Sequence, residues 1–206
     1  EEEAKAFLSE EKGVETVEDA LNGAKDILAE TISDEADYRI YIRDLTMKKG
    51  SVASAAKKPE ESSVYEMYYE FDEALSKVAG HRTLAINRGE KEKILTVKIE
   101  APTEDIIKYL KKQVITNDGA PTAAVLTEVV EDAYDRLIAP AIEREIRNNL
   151  TEEAKKSYIS AETVLETEEQ MNRAETEIRE RMGEMENMTS VERYQFQRKI
   201  YDKYLA

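Results

Sequence analysis

The sequence predicts a mainly α-helical protein: a multi-helix domain with a minor β element near residues 95–99, followed by a C-terminal helical hairpin. Three observations lead there. Apolar residues recur every three or four positions over much of the chain, the spacing of one helix face. The clearest two-residue alternation is short, Leu95, Val97 and Ile99 between Thr96, Lys98 and Glu100. The last fifty or so residues are almost entirely helix-forming. A chain of 206 residues without Cys can bury a sizeable core unaided by disulfides. We divide it into a helical domain, 1–156, and a hairpin tail, 157–206.

Thr16 and Asp19 suit a helix N-terminus. Val17, Leu21, Ala24, Leu28 and Ile32 then form one apolar stripe. Ser33 is placed to cap a second helix over 34–48, with Ile40, Tyr41, Leu45 and Met47 inward and Gly50 at its end. Residues 51–63, rich in Ser, Ala, Lys and Glu, read as a loop. The cluster Tyr65, Met67, Tyr68, Tyr69 and Phe71 should pack, as helix or strand, and the 64–72 region is the best partner for the 95–99 strand. His81 to Arg88 forms a short helix that stops at Gly89. Pro102 and Thr103 open a helix with Ile106, Ile107, Leu110 and Val114 inward, ended by Asn117-Asp118-Gly119. Thr122 caps a helix whose wide face ends in Leu137 and Ile138, and Pro140 ends or kinks it before Ile142, Ile146 and Leu150 resume the spacing. In the tail, Met171, Ala174, Ile178, Met182 and Met185 form a stripe. Thr189 and Glu192 begin the return helix, over a hairpin of 161–205.

Net charge is −15, which disfavours broad nucleic-acid binding unless cations segregate on one face. No apolar run approaches the roughly 18 residues of a membrane span, and no signal peptide is visible. A soluble, cytoplasmic protein without membrane contact is expected. No catalytic constellation, cofactor motif or metal-ligand spacing appears, so we expect no enzyme, no cofactor and no metal. His81 is the sole histidine; alone it lacks the partner a general base needs. The best binding group is His81, Arg82, Arg88, Lys91 and Lys93, near a helix end where phosphate could be gripped. Glu90 and Glu92 lie among them and favour internal salt bridges. Lys48, Lys49, Lys57 and Lys58 flank the Ser/Ala loop; they could form a mobile basic flap, but a solvated loop is the default reading. Tyr65, Tyr68 and Tyr69 could stack on bases, but acidic neighbours such as Glu66 and Glu70 favour packing.

Three segments carry a family resemblance: EKGVETVEDALNGAKDILAE from Glu11, GHRTLAINRGEKEKIL from Gly80, and AYDRLIAPAIEREIRNNLTEEA from Ala133. The HR-x-LA-x-x-RGE core of the second is the most specific. Residues 1–156 resemble the internal helical region of the bacterial Tex family of transcription accessory proteins. The resemblance implies a scaffold that positions neighbouring nucleic-acid-binding domains, in company with RNA or DNA and the transcription machinery. RNA contacts in that family are attributed mainly to OB-fold and helix-hairpin-helix elements, neither visible here. The alternative is direct nucleic-acid binding through the Arg82–Lys93 patch. The tail resembles nothing we recognise. Its Met-rich stripe suits an adaptable contact, either on the body of the chain or in a homodimer through 161–205.

Overall fold

The computed structural model describes residues 2–156 and 161–205, and for 161–166 the backbone alone. In chain order the elements are α1 (Val17–Asp34), α2 (Ala36–Lys49), β1 (Ser51–Ala56), β2 (Glu70–Ala74), α3 (Gly80–Lys91), β3 (Leu95–Glu100), α4 (Thr103–Val114), α5 (Ala123–Asp132), a π-turn (Ala133–Ile138), α6 (Ala139–Lys156), α7 (Ala161–Glu180), a short α8 (Met182–Met185) and α9 (Ser190–Leu205). Among the described residues the protein is mainly α-helical with one small sheet. It divides into two compact units, Glu1–Thr46 with Pro102–Glu145, and Met47–Ala101 with Ile146–Ala206.

The first unit is helical. At its start Thr16 and Asp19 form the expected capping box: the Asp19 amide donates to Thr16 Oγ1 (3.1 Å) and the Thr16 amide to Asp19 Oδ2 (2.9 Å). α1 packs on α5 and the π-turn and buries Ala29 and Ile32. The rest of its stripe behaves otherwise, since Leu21, Ala24 and Leu28 are exposed. Ser33 caps nothing; it lies inside α1, and the chain breaks at Glu35, whose ψ of 113° is extended. The inward face of α2 is Ile42 and Thr46, while Ile40 and Tyr41 are exposed. Tyr41 instead stacks on Tyr109 of α4 (3.8 Å between rings), with Tyr38 edge-on to the same ring. Ile106 and Leu110 of α4 are buried as expected, and the Gly119 amide donates to Asn117 Oδ1 in the turn that follows.

Thr122 stands at the start of α5 without a side-chain capping bond. Pro140 neither ends nor breaks the helix. A proline ring clashes with the carbonyl four residues back and offers it no N–H. The chain answers with the π-turn immediately before it, where the Ala139 amide donates to Tyr134 O, five residues back. The wider turn shifts the inward face so that Ile138 is buried and Leu137 only half-buried.

The second unit holds an antiparallel sheet of order β2-β1-β3. Its central strand, β1, occupies the stretch read as a loop. Ser54 faces Phe71 on one side and Val97 on the other, and its hydroxyl donates to the Tyr68 carbonyl at 2.7 Å. Small side chains there leave room for large neighbours, and that packing overrides the weak strand propensity of Ser and Ala. The partner of β3 is therefore β1; the 64–72 region supplies a short 3-10 turn and the acidic edge strand β2. The aromatic cluster does pack: Tyr65 and Tyr68 are buried.

The tail folds as a hairpin, α7 against α9. Thr189 and Glu192 form a capping box at the start of the return helix, with Glu192 Oε2 accepting from the Thr189 amide at 2.8 Å. Met171, Ala174, Ile178 and Met185 are buried within this unit, and Met182 is half-buried. Gln197 of α9 donates to the Ser63 carbonyl, and Tyr201 donates to that of Val64. The stripe that the sequence offers for a homodimer is thus covered by the chain's own second unit.

Candidate nucleic-acid interface

The candidate residues all lie on or just after α3, which is longer than its sequence suggests. Gly89 does not stop it. A Cβ at Gly89 would lie 2.7 Å from Leu95 Cδ1 and 3.2 Å from Tyr65 Cγ, so the glycine is there for close packing on two buried side chains. The stop comes at Lys93, in the left-handed region (φ 62°). Its amide donates to Glu90 O and that of Ile94 to Gly89 O, a Schellman closure with a lysine where glycine is usual.

The polar side chains of the signature reach in several directions within the unit. Arg82 Nη1 donates to Glu73 Oε1 of β2 (2.7 Å). Arg88 Nη1 donates to Glu175 Oε1 (3.1 Å) and Asn172 Oδ1 (2.9 Å) of α7. Glu90 pairs with Arg147 of α6, and the Asn87 amide donates to Thr151 Oγ1 (2.9 Å) of the same helix. Ala85, Ile86 and Gly89 are buried. The signature is therefore a hub: its apolar residues enter the core, and its charges tie α3 to β2, α6 and α7.

Burial holds the Glu175 carboxyl above its ordinary range, against the pull of Arg88. Burial, with Arg82 adding to it, holds the half-buried His81 imidazole below its ordinary value. His81 and Arg82 also line a pocket of about 300 Å³ with Phe71, Tyr194, Arg198 and Asp202 among its walls. Lys91 and Lys93 are exposed. Tyr65 donates to Glu92 Oε1 at 2.9 Å, which keeps that carboxylate beside the lysines. The five residues are thus not one cationic face: two arginines are paired inward, one histidine is half-buried, and two lysines project beyond the helix end. Sequence reasoning missed Glu73, Arg147 and Glu175, whose separations of 9, 57 and 87 residues from their partners leave no local signal.

Among the described residues, no group of three His, Cys, Asp or Glu is placed to hold a metal ion, and no helix is long and apolar enough to cross a membrane. The sequence matches the model of the family described as Tex central region-like over residues 1–162. The chain belongs to that family. It is 52% identical over 159 residues to the Bacillus subtilis protein YdcI, covering 76% of this chain and 22% of YdcI. The human S1 RNA-binding domain-containing protein 1 is 31% identical over 163 residues, 72% of this chain and 16% of that protein. An Arabidopsis thaliana transcription elongation factor SPT6 homolog is 28% identical over 154 residues, 68% of this chain and 9% of the homolog. This Tex-family chain thus spans less than a quarter of the length of each of these relatives.

Proposed function

We propose that this Tex central region is a non-enzymatic scaffold that holds neighbouring nucleic-acid-binding domains of a cytoplasmic transcription accessory protein. One observation carries the reading: the family signature spends its charges on internal ties to β2, α6 and α7. A signature built for ligand contact would keep them facing outward. The names of the relatives support the pathway, since one is a transcription elongation factor homolog and another carries an S1 RNA-binding domain. We also propose that the chain comprises a Tex-like helical part, 1–156, and a hairpin tail, 157–206.

A second reading, direct nucleic-acid contact through Arg82–Lys93, draws its support from the pocket beside His81 and Arg82, whose wall includes the partly exposed Tyr194 and Arg198. Aromatic and cationic side chains together suit single strands. Fluorescence anisotropy with single- and double-stranded oligonucleotides at about 150 mM salt separates the two. The scaffold reading expects dissociation constants no tighter than the nonspecific range of about 10⁻⁴–10⁻⁶ M. A submicromolar value that falls with Arg82→Ala and Arg88→Ala would overturn it.

A further inference from the structure

On α1, Leu21, Ala24, Ile27 and Leu28 are all exposed, Leu21 at 40%, Ile27 at 66% and Leu28 at 42%. Their spacing of three, six and seven residues places them on one side of the helix. Ala29 and Ile32, further along the helix, are buried and hold α1 to its unit; Ile32 continues the side that carries Leu21 and Leu28, and that side is left uncovered over the preceding turns. An apolar helix face left in water is the mark of a contact surface. Its border is acidic. Glu30 and Asp34 follow Ile27 by three and seven residues, Glu18 precedes Leu21 by three, and all are exposed. The whole first unit has 23 Asp and Glu against 10 Lys and Arg, a net charge of −13 out of the chain's −15.

We propose that this face of α1 docks an amphipathic helix of opposite charge: an apolar stripe flanked by Lys and Arg, laid along Leu21, Ala24, Ile27 and Leu28. Charge decides the occupant. A second copy would bring another −13 unit against the first, and an anionic lipid surface would be repelled in the same way. A cationic helix gains both from burying the stripe and from the acidic border. The inference rests on the scaffold reading, for which it supplies a contact surface.

The test uses the whole chain and three labelled helical peptides. The first has Leu at helical spacing and Lys elsewhere. The second has the same composition with the Leu positions scrambled. The third replaces Lys by Glu. The first peptide should bind at least about tenfold more tightly than either of the others. Ile27→Ser with Leu28→Ser should reverse that advantage with the far-UV circular dichroism melt unchanged. Glu30→Lys with Asp34→Lys should weaken the first peptide and strengthen the third. Equal binding of the scrambled peptide, or indifference to both double variants, overturns the proposal. The two ideas fail separately: submicromolar oligonucleotide binding would sink the scaffold reading with peptide docking intact, and loss of docking would leave the oligonucleotide result untouched.

Discussion

Replacing Arg88 by Ala would leave the Glu175 carboxylate, 8% exposed, facing Tyr65 and Tyr201 without its cation. Removing one partner of a fully buried pair costs about 3–5 kcal/mol. Arg88 is itself 26% exposed, and water reaching the site lowers the expected cost to about 2–3 kcal/mol. The pH dependence identifies the cause. Burial already raises the Glu175 pKa above its ordinary 4.5, and losing Arg88 raises it further. A carboxyl whose folded pKa exceeds its unfolded value holds more protons in the folded state, so its share of stability falls as pH rises through that window. The deficit of Arg88→Ala, measured in urea melts, should therefore shrink as the pH falls from 7 toward the ordinary Glu value. Arg88→Met combined with Glu175→Leu should recover most of the loss, because it strands no charge. A cost below about 0.5 kcal/mol, the range of ordinary surface changes, would mean that Arg88 faces solvent and that its charge is free for a ligand.

Gly89→Ala should destabilise by roughly 1–2 kcal/mol: overpacking against Leu95 and Tyr65 exceeds the gain in helix propensity. Lys93→Gly should stabilise by about 0.5–1 kcal/mol by relieving a left-handed lysine, and both are read from denaturant midpoints at constant slope. Ile138→Ala should cost about 2–5 kcal/mol and Leu137→Ala clearly less; equal costs would place the π-turn wrongly. Glu177 accepts from Lys203 and Tyr204 of α9, each at 2.7 Å, which lowers its pKa to about 2. Its contribution is complete above the ordinary carboxylate value and is lost as the pH falls toward about 2. The stability difference between the wild type and Glu177→Gln should shrink over that interval in acid titrations followed by circular dichroism.

What was legible in the sequence was local. Thr16 with Asp19 and Thr189 with Glu192 announce their helices because a capping box needs only residues three apart. β3 shows its alternation because one of its faces is buried, at Leu95 and Val97. β1 was hidden because a central strand between Phe71 and Val97 needs small residues, and Ser and Ala look like a loop. Gly89 and Lys93 exchanged roles because a close approach by Leu95, folded back after the turn, fixes the glycine inside the helix. The stripe of α1 is legible as apolar, but periodicity marks a face without naming what covers it, and Ile32 is buried where Leu21, Ala24 and Leu28 are exposed. At the candidate interface the cations were found and their partners were not: Arg88 and Glu175 meet across 87 residues, which is a matter of tertiary packing alone.

In the scaffold reading the signature helix holds this region together and does not face nucleic acid. Lys91 and Lys93 give the cleanest test, because both are exposed and can lose their charge with little effect on folding. Lys91→Gln with Lys93→Gln should be titrated with a single-stranded oligonucleotide at about 50 mM salt, where phosphate contacts are strongest, and then at rising salt. The account predicts affinity unchanged within about twofold and the same salt slope. A loss of about tenfold, with a slope shallower by about 0.7 for each lost contact, would contradict it.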